Sequence, residues 1–226
     1  MENLKALTEA VCCVAREAGH FLKEERKSFR REVVQEKHAH DYVSYVDKAS
    51  EKKVVSALRK LLPEAGFIAE EGSAAYSDET YCWVVDPLDG TTNYIHDNAP
   101  YCVSIALRDK QSLLLGVVYE PCRDECFYAW KGGGAYVNGE RLRVSLVSEL
   151  KDAFVVTELP YNFEQYARTG EHLIHELYGK VAGIRMNGSA ALALCYVAAG
   201  RFDAWLEAFI GKWDFSAAAL MVLEAG

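Results

Sequence analysis

The sequence predicts an α/β layered sandwich: paired N-terminal helices, a large mainly antiparallel sheet, and a smaller mixed sheet with helices, stacked as α-β-α-β-α layers. Three patterns support this fold class. Apolar residues first recur at helical spacing, short apolar runs between turn residues follow, and strand and helix patterns alternate in the last third. The 226 residues, half of them hydrophobic, suffice for one large domain or two small ones.

Two amphipathic helices are predicted at the start of the chain. The first runs from about Leu4 to about Arg26, because its apolar residues repeat every three or four positions. The second follows Asp47, which stands where an N-cap residue is expected, and Pro63 ends it.

The middle of the chain changes to short apolar runs that are typical of buried strands. The Asn138-Gly139 pair is a strong turn signal within this region. The predicted strands cover residues 67–69, 81–85, 102–107, 113–119, 125–130, 135–137 and 141–144.

The last third of the sequence alternates between strand and helix patterns. Gly200 is placed to cap the C-terminus of one of these helices. We expect an N-terminal lobe over 1–150 that holds the first helices, the antiparallel sheet and most metal ligands, and a C-terminal α/β lobe over 151–226. The elements predicted for the second lobe are strands 153–157 and 202–206 and helices 163–178, 190–199 and 215–224.

Composition excludes several classes of protein. The formal net charge is −8 and the estimated pI is about 5.3, without the basic face of a nucleic-acid-binding protein. No apolar run reaches the roughly 18 residues of a membrane span, and the N-terminus lacks a signal-peptide core. The seven cysteines are unevenly spaced and are interpreted as reduced thiols that pack as small hydrophobes. We therefore expect a cytoplasmic protein that binds neither nucleic acid nor membranes.

Four acids stand where predicted strands or helices begin or end. Glu70 closes one short strand, Asp86 closes the next, Asp89 follows three residues later, and Asp214 opens the last helix. Buried carboxylates are unfavourable unless something neutralises them. A hard cation with oxygen ligands is the simplest solution, and Mg²⁺ binds a few carboxylates together with water and phosphate oxygens.

The segment after Asp86 fits such a site. Pro87 is expected to force a turn directly after the strand, which would bring Asp86 and Asp89 round one point with the Leu88 carbonyl between them. The alternative interpretation is an ordinary acidic turn, because Asp is a common turn residue.

The next two residues suit contact with a ligand. Gly90 allows the backbone to approach it closely. If Thr91 starts a helix, the N–H groups of both residues would point at a phosphate.

Four segments together resemble the inositol monophosphatase family, part of a superfamily of lithium-sensitive, metal-dependent phosphomonoesterases. The family's first motif is similar to Trp-Val-Val-Asp-Pro-Leu-Asp-Gly-Thr-Thr-Asn-Tyr at 83–94, and its second to Trp-Asp-Phe-Ser-Ala-Ala at 213–218, continuing to 226. Phe-Ile-Ala-Glu-Glu-Gly-Ser at 67–73 and Asp-Tyr-Val-Ser-Tyr-Val-Asp at 41–47 match the segments that precede them. The resemblance covers nearly the whole chain.

The resemblance implies two or three Mg²⁺ ions per site. Asp47 would help to hold a third, weaker ion through water, although it also keeps its interpretation as a plain helix cap. The groups implied as ligands of the two tighter ions are Glu70, Asp86, the Leu88 carbonyl, Asp89 and Asp214.

The implied reaction is hydrolysis of a small phosphate monoester by direct attack of metal-activated water. Glu70 and Thr91 would orient and deprotonate this water, and Asp47 belongs to the same catalytic set. Inositol monophosphate is the expected substrate, because the continuation Thr-Asn-Tyr at 92–94 is similar to the inositol branch. The alternatives are a 3′(2′),5′-bisphosphate nucleotidase, a fructose-1,6-bisphosphatase, a broad sugar phosphatase, and a non-catalytic homologue that binds metal or phosphate.

The implied partner of the site is a small phosphorylated polyol or sugar. Glu207 matches an acid that binds ring hydroxyls, and its alternative interpretation is a solvated strand end. The implied substrate contacts are Asp89, Gly90, Thr91, Gly188, Ser189, Ala190, Glu207 and Asp214. The resemblance also implies a homodimer, and it implies that family members continue beyond Gly226, so that we expect the C-terminal lobe to be truncated.

Overall fold

The computed structural model describes residues 3–38, 41–75, 79–159 and 163–226. In these ranges a seven-stranded sheet, a three-stranded sheet and a short two-stranded sheet combine with helices. Helices α1 (Leu4–Arg26) and α2 (Tyr45–Leu61) pack together and against one face of the large sheet. The predicted layered α/β fold class is confirmed.

The N-terminal segment follows its predicted pattern closely. α1 has the predicted bounds, and the short antiparallel pair β1 (Gln35–His38) and β2 (Asp41–Val43) leads into α2. The prediction that Asp47 is the N-cap is wrong: Ser44 caps α2 and Asp47 is the third helical residue, two residues after the helix begins. Among the helices of the described residues, none is both long enough and apolar enough to cross a bilayer.

The large sheet carries the middle of the chain in the order β3-β4-β5-β6-β7-β8-β9. Its first two strands are parallel and all other neighbours are antiparallel, as the run of hairpin signals indicates. The strand predicted over 81–85 continues to Asp89. Of the strand predicted over 141–144, only Arg141 is paired, together with Glu140 before it. The strands are β3 (Gly66–Ala69), β4 (Cys82–Asp89), β5 (Cys102–Arg108), β6 (Leu113–Glu120), β7 (Glu125–Trp130), β8 (Gly134–Val137) and β9 (Glu140–Arg141).

Helices cover both faces of this sheet. Trp83 and Val85 join the core beneath α1 and α2, whereas Val84 between them joins the core shared with α5 (Ala190–Ala198) and α6 (Lys212–Ala225). The alternation of side chains along β4 therefore divides its apolar residues between two cores. Each fully buried side chain of this kind contributes about 1.5–3 kcal/mol to folding.

The smaller sheet has the order β11-β10-β12 and packs beside α5. Its strands are β10 (Phe154–Thr157), β11 (Gly183–Arg185) and β12 (Ala204–Leu206), with α4 (Phe163–Leu177) and α5 in the connections. We expected a mixed sheet, but these three strands pair in parallel, because each helical connection returns the chain to the same end of the sheet. The lobe boundary at residue 150 stays a prediction.

Three short elements complete the path. The single-turn helix α3 (Thr91–Ile95) follows β4, and 3₁₀ turns occupy Arg31–Val33 and Leu150–Asp152. Gly200 has a φ of 65° just beyond α5, as predicted for a helix-ending glycine.

Gly116 sets the distance between β6 and α6. A Cβ added at this glycine would lie 2.8 Å from the Cα of Ala217, which is too close for the backbones to stay in place. We predict that Gly116→Ala lowers the free energy of unfolding by about 1–3 kcal/mol, as overpacking does. Urea unfolding measures the change.

Gly170→Ala in α4 is the matched control. Its added Cβ would meet only the terminal Cδ2 of Leu159 at 2.9 Å, which a flexible side chain can relieve, and alanine favours the helix by about 1 kcal/mol. The control should be neutral or stabilising; equal unfolding midpoints for the two variants would contradict the packing account.

Candidate active site

A bulge at the end of β4 brings two acids to one face of the sheet. Asp86 pairs with Ser104 and Asp89 pairs with Cys102. Between these two pairs β4 therefore has two residues where β5 has one. The extra residue gives Asp86 and Asp89 the same orientation, which a regular strand would not do. The prediction of a turn directly after Asp86 is wrong. The strand continues because a bulge tolerates the missing N–H of Pro87.

Asp86 is buried next to the end of the parallel neighbour strand. The Leu88 N–H donates to its Oδ1 at 2.9 Å. Glu70 comes directly after β3 and its own N–H donates to the Val85 carbonyl at 3.2 Å, which extends the ladder by one residue. This register places the Glu70 carboxyl in hydrogen-bond contact with that of Asp86.

Burial is the main reason that the pKa of Asp86 lies well above its usual range. The charges of Glu70, Asp89 and Asp214 raise it further. Neighbouring carboxylates of like charge at a buried position favour the binding of a cation.

Asp89 joins the large sheet to the beginning of α5. Its Oδ2 accepts hydrogen bonds from Ser189 Oγ at 2.7 Å and from the Ala191 N–H at 2.8 Å, and Cys102 Sγ lies 3.7 Å away. Burial raises the pKa of Asp89, and these hydrogen bonds oppose the rise. One carboxylate thus holds two predicted site segments, 86–91 and 188–190, in contact.

Asp47 supports Thr91 from α2. Its Oδ2 accepts from Ser44 N–H at 2.8 Å and Ser44 Oγ at 2.6 Å, while its Oδ1 lies 3.2 Å from Thr91 Oγ1. Thr91 Oγ1 also lies 2.9 Å from the Leu88 carbonyl oxygen. Burial raises the pKa of Asp47. The same residue therefore stabilises the helix start and contacts the candidate site.

Gly90 connects β4 to α3 in a conformation that only glycine adopts easily. Its φ is 89°, and a Cβ there would lie 3.0 Å from the Pro100 carbonyl oxygen and 3.1 Å from that of Gly188. Asn93 holds the same contact together, because its Nδ2 donates to the Pro100 and Asn187 carbonyls at 2.8 Å each. The predicted phosphate turn and the predicted substrate turn are thus adjacent.

Asp214 is the third residue of α6 rather than its first, because the helix begins at Lys212 with Gly211 as N-cap. Its Oδ2 accepts the Gly211 N–H at 2.6 Å. The preceding Trp213 carbonyl accepts from Ser104 Oγ at 3.3 Å, which ties the start of α6 to β5. This contact sets Asp214 close enough to raise the pKa of Asp86.

Glu207 follows β12 and is partly buried. Its Oε2 is buried and has no hydrogen-bond partner within the described part of the chain. Burial, followed by the charges of Glu158, Asp214 and Asp89, raises the pKa of Glu207 to about 9. This environment differs from the solvated strand end that was the alternative interpretation.

Glu158 was not identified from the sequence. It directly follows β10, and its Oε1 accepts the N–H groups of Asn187 at 2.6 Å and Gly188 at 2.9 Å. The carboxylate therefore fixes the turn in front of α5. The signal was available, since an acid directly after an apolar run is the pattern that singled out Glu70.

The acids fit a hard divalent cation. Asp86 experiences the charges of Glu70, Asp89 and Asp214 together, and Glu207 contributes a buried oxygen without a partner. In the described ranges, however, no three His, Cys, Asp or Glu side chains are already arranged as metal ligands. All candidate donors are oxygens, the ligands that Mg²⁺ prefers.

Comparisons with known proteins agree with this geometry. The chain is 41% identical over 213 residues to "Nus factor SuhB" of Escherichia coli K12, covering 94% of this chain and 80% of that protein. It is 37% identical over 226 residues to "Fructose-1,6-bisphosphatase/inositol-1-monophosphatase" of Aquifex aeolicus, covering 100% and 86%. The crystal structure of extragenic suppressor protein suhB from Bartonella henselae superposes with a TM-score of 0.91 at 37% identity, covering 98% and 86%. A model of the inositol monophosphatase family matches residues 3–226, and the chain belongs to this family.

Proposed function

We propose that this protein is a Mg²⁺-dependent, lithium-sensitive phosphatase that hydrolyses a small phosphate monoester. The observation that carries the proposal is the bulge at Asp86 and Asp89, which gathers buried carboxylates beside a glycine turn. Buried acids that raise one another's pKa are typical of functional sites. Phosphoryl transfer depends mainly on positioning and on charge stabilisation, and both are features of this arrangement.

Two ions would be held by Glu70, Asp86, the Leu88 carbonyl, Asp89 and Asp214, and a third, weaker ion by Asp47 through water. When bound, these ions would lower the pKa of a water and spread the charge of the phosphoryl group. The charge of the ions would offset the burial and the mutual repulsion that raise the pKa of Asp86, so the acids would bind as carboxylates.

Thr91, Asp47 and Glu70 act on the attacking water. The Thr91 hydroxyl lies between the Leu88 carbonyl and Asp47 Oδ1, so its proton is donated to one of these acceptors and a lone pair is left to accept from water. Glu70 is the acceptor for the proton that the water loses. The backbone at Gly90 leaves room for the phosphate.

Inositol monophosphate is the substrate that we favour. The segment Gly188, Ser189 and Ala190 lies against Gly90, and Glu207 and Glu158 place acidic oxygens on the same side. Such oxygens accept hydrogen bonds from neighbouring hydroxyls of a polyol. Neither side chain offers the positive charge that a second phosphate group would require, which disfavours adenosine bisphosphates and fructose 1,6-bisphosphate.

Location and assembly follow from the same resemblance. We propose a cytoplasmic homodimer that acts on a small phosphorylated polyol or sugar without nucleic acid or membrane partners. The Escherichia coli relative carries the name Nus factor, so a non-catalytic role is the competing proposal for this chain. The two lobes, 1–150 and 151–226, are proposed to meet at the site.

Asp89→Asn should abolish phosphate release while the protein stays folded, because the amide keeps an acceptor for Ser189 and loses the ligand charge. The expected loss is at least about a hundredfold. The control is Asp109→Asn, since one oxygen of Asp109 also accepts from a backbone N–H and a serine hydroxyl, but the residue is only partly buried and lies in the β5–β6 turn. Wild-type turnover in Asp89→Asn would contradict the metal assignment.

The substrate proposal is tested with a Mg²⁺-dependent phosphate-release panel. The panel compares inositol 1-phosphate, 3′-phosphoadenosine 5′-phosphate, fructose 1,6-bisphosphate and glycerol 2-phosphate, each with and without Li⁺. Inositol 1-phosphate should have the highest kcat/KM, and Li⁺ should inhibit. A higher kcat/KM for the adenylate would overturn the substrate proposal, and no release from any ester would favour the non-catalytic role.

Glu207→Gln should change how the stability of the metal-free protein depends on pH. The pKa of Glu207 is about 9 in the folded protein, above its ordinary value of 4.5. Between these two pH values the folded protein keeps a proton on Glu207 that the unfolded chain has lost. Wild-type stability therefore falls as pH rises from 4.5 to about 9, by at most about 1.4 kcal/mol per pH unit, and solvent screening reduces the effect.

The glutamine variant lacks this titration. As pH rises, its free energy of unfolding should therefore increase relative to that of the wild type. Urea unfolding with EDTA at about pH 5 and about pH 8 measures the difference. A constant difference between the two proteins would show that Glu207 is not in the acidic environment described above.

A further inference from the structure

One face of α2 provides three polar side chains to the candidate active site. Asp47, Ser50 and Glu51 follow the i, i+3, i+4 spacing that places helix residues on one side. Asp47 contacts Thr91, and Ser50 Oγ donates to the Pro87 carbonyl at 3.1 Å. Glu51 takes part in neither contact, and the proposed reaction gives it no role.

Glu51 is fully buried, with 0% of its surface exposed. Its Oε2 accepts the Glu71 N–H at 2.7 Å, and its Oε1 accepts the Ser73 N–H at 2.7 Å. Short bonds from backbone donors to a carboxylate are charge-assisted and strong. A buried carboxylate is tolerated only when its oxygens are satisfied, so the loop and the acid depend on each other.

These two bonds hold the chain immediately after Glu70. On the other side of Glu70, its N–H is fixed to the Val85 carbonyl of β4. Beyond it the chain turns at Gly72, whose φ is 68° and whose N–H donates to the Ala69 carbonyl at 3.3 Å. Glu51 therefore fixes the turn on the side of Glu70 that the sheet does not reach.

We propose that Glu51 is a positioning residue that orders the 71–73 turn and thereby sets the place of the Glu70 carboxylate. The inference rests on the proposed function, since Glu70 is the acceptor in that reaction. Glu51 acts through the backbone of the turn, whose N–H groups its carboxylate oxygens bind. Its effect should appear in the turn's order and in Mg²⁺ binding as well as in turnover.

The test compares Glu51→Gln with Glu120→Gln. In Glu51→Gln an amide NH₂ faces one of the two N–H donors, so one bond is lost at nearly constant shape. Glu120 is the matched control, because it is also fully buried and its carboxylate accepts two N–H groups, from Cys122 at 3.0 Å and Arg123 at 2.6 Å, in the β6–β7 turn.

Three readouts are taken: amide hydrogen exchange at Glu71 and Ser73 in the metal-free protein, Mg²⁺ affinity by calorimetry, and steady-state kinetics at saturating Mg²⁺. We expect exchange at both amides to accelerate at least about tenfold in Glu51→Gln and to stay unchanged in Glu120→Gln. Mg²⁺ affinity and kcat should each fall at least about tenfold, with KM within about twofold. The control should keep wild-type values for all three.

Wild-type exchange or wild-type Mg²⁺ affinity in Glu51→Gln would overturn the proposal. If that variant fails to fold, Glu51→Asp keeps the charge but is too short to reach both donors, and the same expectations apply. If the wild-type protein has no phosphatase activity, only the proposed function fails. Amide exchange and Mg²⁺ affinity would still decide the role of Glu51.

Discussion

The structure depends on the burial of several like charges at one bulge. Asp86 and Asp89 point the same way because β4 has one residue more than β5 between their pairs. Glu70 and Asp214 add charge to the same place, and burial raises the pKa of Asp86 still more. Hydrogen bonds from Ser44, Ser189 and Gly211 to individual carboxylates relieve part of the repulsion. This arrangement is unfavourable by itself and becomes useful when cations bind.

Segments far apart in sequence meet at this bulge through polar contacts rather than through the apolar cores. Asp89 holds the start of α5, and Glu158 holds the turn that precedes it. Asn93 bonds to the carbonyl of that turn from the opposite side. The candidate catalytic and substrate segments therefore form one connected network.

Periodicity was sufficient to predict most of the fold. α1 has its predicted bounds because its apolar repeat is long and regular. The end of β4 was misjudged, because a bulge and a turn give the same pattern around Pro87 and only pairing with β5 separates them. The starts of α2 and α6 were misjudged for a related reason. An acid at the third position of a helix resembles an N-cap until the N-cap residue itself, Ser44 or Gly211, is known.

The site residues also divide into those that were identified from the sequence and those that were not. The acids near strand ends were identified because a carboxylate beside an apolar run is unusual, and the family resemblance gave them roles. Glu51 was missed because it accepts backbone N–H groups from a turn distant in sequence, and such contacts leave no pattern in the sequence. Glu158 was overlooked although it directly follows an apolar run, the same pattern that singled out Glu70. Long-range register and tertiary hydrogen bonds were thus beyond what local periodicity could supply.

The central claim is that the acidic site binds phosphate only after cations reverse its local charge. With a net charge of −8, the metal-free protein should repel inorganic phosphate. The most direct test is calorimetric titration of the protein with inorganic phosphate, once in Mg²⁺ and once in EDTA. We predict measurable binding in Mg²⁺ and an affinity at least about a hundredfold weaker in EDTA. Comparable affinity under both conditions would contradict the account.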